Sequence, residues 1–289
     1  MTVCIAADTW RERRAAHAER LRPFADAHLE RSFRHEKHPA LDFLFEYYSF
    51  RPAQLLRWTP GIDVVLEGAT PTDVDWPHLF EPAAGGMVLR ARRFSPQRRQ
   101  FLRWAVGYLE AIANRPPHFA CWGLHEWAMV YRTVDIRHTT PLRLVPAEID
   151  ATVDSLGPCC THFDAFRFFT PAAVPLNRHT LDRRTTDRFD QPGCIHVVMD
   201  LYKYAYKVAP FAAAELTADA FALAIDARTI DMRASPYDLR NYGLVPIRIE
   251  TTDGRAEYAE TQRELVGRAA PLRARLLDAY RQLLAGCGG

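Results

Sequence analysis

The sequence predicts a mainly α protein: one large helical domain over residues 1–289 with a small β element. Three observations carry that expectation. Several long segments open with helix-start signals. The stretch 193–224 has a helical apolar pattern. Strand candidates are short, scattered and too few for a doubly wound sheet.

In chain order, Thr9 with Glu12 three residues on reads as a capping box opening a charged helix over about 10–34. His38-Pro39 punctuates the chain, and 41–58 follows with the apolar set Leu41, Phe43, Leu44, Phe45, Tyr47 and Tyr48. Residues 63–66 and 87–92 are the first strand candidates. Ser95 before Pro96 is an N-cap with proline at the first helical position, starting a helix to about Asn114. The turn-rich stretch 135–158 is the most plausible internal boundary, although it does not justify a cut, and it holds the strand candidate 142–145. Residues 193–224 read as helix with a break at Pro210. A short helical turn is expected to begin at 235–238, a last strand at 246–251, and a final helix over 255–284 bent at Pro271.

Composition narrows the class. The 289 residues are 48% hydrophobic, with 37 basic against 35 acidic residues and a net charge of +2. That excludes a disordered chain or one built to coat a polyanion. No apolar run approaches the ~18–20 residues needed to cross a bilayer, and no basic region precedes the short apolar patch at the start, so a soluble cytoplasmic protein without membrane partners is expected. The six cysteines show no C-x-x-C pair and read as reduced thiols. Only three of the 37 basic residues are lysines, Lys37, Lys203 and Lys207, and two of these lie four residues apart.

Those two lysines fall on the most informative segment. At 100° per residue His196, Asp200, Lys203 and Lys207 form a stripe about 60° wide on a helix otherwise apolar or aromatic. A buried helix with such a stripe needs partners for it, or a polar cavity. Two further segments share the vocabulary. WGLHEWAMVYR at 122–132 sets His125 and Glu126 among Trp122, Trp127 and Tyr131. CCTHFDAFRFFT at 159–170 sets His162 and Asp164 among phenylalanines, with Arg167 beside them. Three histidine–carboxylate segments point to a shared site. His125, His162 and His196 are candidate ligands for Zn or Fe, with Cys160 and Cys194 as possible additions, although neither spacing matches a known zinc or di-iron signature. Without metal, the same groups suit acid–base work in an aromatic pocket. Arg90, Arg92, Arg93, Arg98, Arg99 and Arg103 form an acid-free run across a strand candidate and a helix start, which suits phosphate.

WGLHEWAMVYR, CTHFDAFRFFTPAAVPLN, QPGCIHVVMDLYKYAYK and DMRASPYDL, together with HPALDFLFEYY and the W-T-P-G of 58–61, make nearly the whole chain resemble a bacterial family catalogued as 3-methyladenine DNA glycosylases. The resemblance implies base excision: hydrolysis of the N-glycosidic bond of an alkylated purine in DNA, with no cofactor required. It implies an aromatic pocket for a flipped base, for which Tyr47, Tyr48, Trp122, Trp127 and Tyr131 are candidates with Arg167, and a carboxylate among Glu126, Asp164 and Asp200. Lys203 would add a Schiff-base option, and the run at 90–103 would grip the DNA backbone. The helix-hairpin-helix glycine turn with its aspartate, common in glycosylases, is missing from the sequence. The alternative is a metal-dependent enzyme acting on a small molecule. A non-enzymatic helical module would instead leave His125, His162 and His196 far apart.

Overall fold

The computed structural model describes residues 3–136 and 139–287. It is mainly helical, with one small sheet. Helix α1, Ala7–Phe33, is charged and alanine-rich and buries Trp10, His17, Leu21 and Ala25 along one face. It starts at Ala7 behind Ala6, so Thr9 lies inside the helix and the expected capping box does not form. Asp8 sits in the first turn, where the helix dipole favours an anion.

Residues 41–58 form two short helices, α2 (Phe43–Glu46) and α3 (Pro52–Leu55). The entry to α2 is anchored by Asp42, which is almost fully buried. Its carboxylate accepts from Arg31 Nε at 2.9 Å, from His28 Nδ1 at 2.9 Å and from the His38 backbone N–H at 2.7 Å. Burial alone would raise this carboxyl's pKa; the Arg31, His38 and His28 hydrogen bonds overcome it and hold the group below its usual 3.8. Asp42→Asn is expected to lower stability by about 3 kcal/mol near neutral pH in urea unfolding, because Arg31 loses its buried partner. A depressed carboxylate stabilises above its unfolded pKa and loses that contribution as the pH falls through its folded value. The gap between the two proteins therefore narrows in acid.

Strands β1 (Val3–Ile5), β2 (Val64–Glu67), β3 (Phe80–Ala83) and β4 (Gly86–Leu89) form one sheet in the order β1-β2-β4-β3. β1 is parallel to β2, with Val3 beside Val64, and the other pairings are antiparallel. The candidates at 63–66 and 87–92 correspond to β2 and β4, but Ala91–Arg93 is a 3₁₀ turn. Two other expectations are corrected: 142–145 contributes only an isolated bridge from Leu142 to Tyr237, and 246–251 contains no strand.

Helix α4, Arg99–Ala113, follows a 3₁₀ turn at Pro96–Arg98. It turns Leu102, Ala105, Tyr108, Leu109 and Ile112 inward at helical spacing. The short helix α5 (Leu124–Ala128) precedes α6 (Pro146–Leu156), α7 (Phe163–Phe166) and α8 (Thr186–Phe189). Arg143, inside the stretch read as a boundary, is tied to Glu250 at 2.6 Å and to the Ser235 carbonyl, although residues 137 and 138 of that stretch lie outside the described residues. The expected helix over 193–224 is two helices, α9 (Ile195–Lys207) and α10 (Ala214–Arg233), interrupted around Pro210. The turn expected at 235–238 is not helical; a 3₁₀ turn follows at Arg240–Tyr242. Helix α11, Thr252–Gly286, is capped by the Thr251 side chain, which accepts from the Gly254 N–H, and contains Pro271. α9 packs on α10 and α11, and α11 also covers α4, so α9 runs through the core. Among the described residues no helix is long and apolar enough to cross a membrane.

Candidate functional site

Three elements meet over the first turn of α9. α5 begins after two residues in left-handed backbone, Trp122 (φ 45°) and Gly123 (φ 73°). A tryptophan there is strained, and a Cβ at Gly123 would lie 3.2 Å from the Ala234 Cβ at the end of α10. This close turn sets His125 and Glu126, both buried, against α10. α10 is apolar for most of its length, yet it buries Arg228 and Asp231 one turn apart. α9 contributes His196.

The contacts form one connected network. His125 Nε2 lies 2.7 Å from Asp231 Oδ1, and its Nδ1 faces the Cys121 sulfur at 3.6 Å. Arg228 Nη1 donates to Asp231 Oδ2 at 2.6 Å and to Glu126 Oε1 at 2.7 Å, while its guanidinium lies 4.1 Å over the Phe43 ring. The His196 ring is 4.4 Å from that of His125 and stacks nearly parallel on His162 at 5.3 Å. One ligand atom each from His125, His196 and Asp231 falls within 4.8 Å of the others, a group able to hold a metal ion. His162 belongs instead to a neighbouring string of hydrogen bonds: its Nδ1 contacts Asp190 Oδ1 at 3.1 Å, and the other Asp190 oxygen accepts from Tyr108. Thus two of the three expected histidines join the metal-capable group, and Asp231 stands where His162 was expected.

Electrostatics separate the histidines. Burial disfavours the charged form of His125, but Asp231 outweighs it and raises the pKa; the same contest, won by Asp190, raises that of His162. His196 is pushed well below its ordinary value by burial and by the nearby His125. It is therefore a neutral imidazole, the form that ligates metals, and its buried Nδ1 has no hydrogen-bond partner. His125, its charged form favoured by Asp231, would have to release a proton to bind one. Burial raises the thiol pKa values of Cys160 and Cys194, which keeps them protonated, and neither joins the metal-capable group. Both line a small void of about 10 Å³ beside His125 and His196, where Tyr258 OH and Gln262 Oε1 are also buried without partners.

A pocket of about 410 Å³ opens beside this network. His196, Glu126 and Arg228 reach it, and Asp164, Tyr47, Phe43, Phe168 and Met129 complete most of its wall. Phe43 and Tyr47 stack at 4.9 Å, and Asp164 is paired with Arg167 at 3.4 Å. Tyr47, Glu126 and Asp164 thus share the pocket.

The other sequence candidates lie elsewhere. Trp127 is core, donating through Nε1 to the Ala234 carbonyl, Tyr131 donates to Asp154, and Trp122 packs on the core. Tyr48 is buried and donates to Asp200 at 3.1 Å. Asp200 also binds Lys203 and lies 3.9 Å from His162 Nε2, so these residues form a polar cluster on the His162 side, outside the pocket lining. Lys207 lies over Phe101, further along α9. Within the arginine run, Arg90 pairs with Asp63, Arg92 with Glu81, Arg93 with the His78 carbonyl and Arg98 with the Lys207 carbonyl. Arg99 lies beside Cys287 and Arg103 is exposed. None of these arginines lines the pocket. The chain matches no family model, no curated protein and no solved structure.

Proposed function

We propose that the chain is a metal-dependent enzyme acting on a small molecule held in the 410 Å³ pocket, with His125, His196 and Asp231 as the ligands of a divalent transition metal, Zn or Fe. The observation that carries this reading is the meeting of those three side chains at a pocket wall to which His196 itself contributes. Two histidines and one carboxylate leave coordination positions open for substrate. The buried, unpartnered Nδ1 of a neutral, half-buried His196 also fits a ligand role better than a structural one.

When bound, such a metal supplies Lewis-acid activation of a substrate oxygen. The surrounding residues supply the rest. Arg228 orients Asp231 and fixes one oxygen of Glu126, whose second oxygen has no partner and is the candidate proton acceptor. Phe43, Tyr47 and Phe168 offer flat apolar surface, which favours a planar substrate. Asp164 and Glu46 are the other carboxylates at the pocket, and Glu46 is paired with Lys37 at 2.8 Å.

The deciding measurement is elemental analysis of protein purified without added metal. About one Zn or Fe per chain is expected. No stoichiometric metal, together with stability unchanged by chelator, would overturn the proposal.

A second reading has one observation in its favour. An aromatic pocket holding Glu126 and Asp164 also suits the flipped alkylated base implied by the resemblance to 3-methyladenine DNA glycosylases. In that reading DNA is the partner, exposed residues of the 90–103 run contact its backbone, and Lys203 is held by Asp200 away from the pocket lining. Its test is release of free 3-methyladenine from alkylated DNA, with and without added metal. If none is released, this reading fails.

A further inference from the structure

We propose a second binding site, for a small molecule carrying at least two phosphate groups, in the cleft between α1 and α3. The cleft has a volume of about 520 Å³ and shares no residue with the pocket described above. Its rim carries Arg11, Arg14, Arg22 and Arg57, and Ala15 and Ala18 form part of its floor.

The placement follows from helical spacing. Counted at 100° per residue, Arg11, Arg14, Ala15, Ala18 and Arg22 fall within about 100° of one face of α1. Arg11 and Arg22 are separated by about 16 Å along the axis. Small residues between them keep the floor low, and α3 brings the following turn, with Arg57, to the opposite side.

Charge pairing sets this cleft apart from the rest of α1. Arg13, Arg20 and Arg31 are paired with Glu215 at 2.7 Å, Asp219 at 2.6 Å and Asp42 at 2.5 Å. Arg22 and Arg57 have no ion pair among the described residues, and Arg57 instead stacks over Trp76 at 5.6 Å. Arg11 lies over the Trp10 ring at 4.8 Å, and its one ion pair, with a 97%-exposed Asp8 at 3.9 Å, holds it weakly. The two carboxylates at the cleft are already engaged: Asp73 accepts from Thr70 N–H and Oγ1, and Asp75 from the Trp58 N–H and from Arg14. Two guanidiniums without an ion pair, Arg22 and Arg57, and a third, Arg11, that only loosely shares the charge of Asp8 and Asp73, therefore line one concavity of small-ligand size. Guanidinium forks match phosphate oxygens bidentately, and their number calls for a ligand with more than one anionic group. The alanine floor accommodates a compact carbon skeleton.

The test is calorimetric titration of the full chain with inorganic pyrophosphate, orthophosphate, citrate and a single-stranded oligonucleotide. Pyrophosphate is expected to bind at least tenfold more tightly than orthophosphate. Arg22→Gln and Arg57→Gln should each weaken it by about tenfold, with thermal unfolding and metal content unchanged because both side chains are exposed. That independence also separates failure here from failure of the metal reading. No pyrophosphate binding at about 1 mM, or equal affinity in both variants, overturns the site. Citrate binding as tightly as pyrophosphate overturns the phosphate assignment, and affinity that grows with oligonucleotide length overturns the small-molecule occupant.

Discussion

His196→Ala is expected to abolish stoichiometric metal binding, with an affinity loss of at least about 100-fold, while leaving the protein folded. Loss of an outer-shell partner alone costs about 10–100-fold, and removal of a direct ligand should exceed that. The structural cost stays small because the His196 Nδ1 makes no hydrogen bond in the fold, so no buried partner is orphaned. Its neighbour supplies the control. His162 stacks on His196, but its Nδ1 faces Asp190 and it stands outside the ligand group. His162→Gln should therefore retain the metal. Elemental analysis and equilibrium titration of both variants decide the matter: equal metal content in His196→Ala and the parent protein would remove His196 from the centre. Loss in His162→Gln alone would move the site to the Asp190 side.

The contrast between these two histidines shows how far the sequence reaches. Helical spacing placed His196 and Asp200 on one stripe of α9. Asp200 is hydrogen-bonded in the interior as a polar stripe on a buried helix requires, whereas His196 has ring neighbours but an unpartnered Nδ1. Spacing along one helix does not say which neighbour each residue meets. His196 meets α5 and α10, whereas Asp200, one turn on, meets Tyr48 from the segment after α2. Asp231 lies 106 positions from His125, so only the packing of α10 against α5 makes it a partner. The signal that could have found it is local: Arg228 and Asp231 are one turn apart on a helix rich in alanine, and buried charges on such a helix need each other. The aromatic wall was misplaced for a similar reason. Trp127 neighbours Glu126 in sequence, but consecutive helical positions point about 100° apart, and the indole turns into the core while the carboxylate reaches the pocket.

The helices were more legible than the strands. α4, α9 and α11 present sustained apolar faces or start signals. β1 and β3 have only three and four residues, both lie at sheet edges, and β3 contains Pro82. Proline is tolerated at an edge where one side of the strand makes no ladder bonds, yet it removes the pattern by which a strand is recognised. The 3₁₀ turn at Ala91–Arg93 cuts short the strand candidate whose arginines suggested a phosphate grip, and those side chains turn to Glu81 and the His78 carbonyl.

Arg228→Met should lower stability by about 3–5 kcal/mol, measured by urea unfolding near neutral pH. One guanidinium nitrogen serves Glu126 and Asp231 together, and all three side chains are buried. Methionine fills much of the volume but leaves both carboxylates without their cation. Asp231 keeps His125; Glu126 keeps no hydrogen-bond partner among those the structure shows. A carboxylate stripped of its cation in the interior has a raised folded pKa, so its contribution is most favourable below its unfolded value and declines as the pH rises through the folded one. The variant should therefore lose least against the parent in mild acid and most at neutral pH, the same direction as Asp42→Asn but from a raised rather than a depressed carboxyl. Arg228→Lys should not restore the parent stability, because a single ammonium lacks the planar fork that lies over Phe43 while bridging two acids. The double variant Glu126→Gln, Arg228→Met should be less destabilised than Arg228→Met alone, since it removes the stranded charge. If the double variant is instead the less stable of the two, then Arg228 acts through packing on Phe43, and Glu126 is not held by charge. That outcome would also deprive Glu126 of the orientation its proposed role in proton transfer requires.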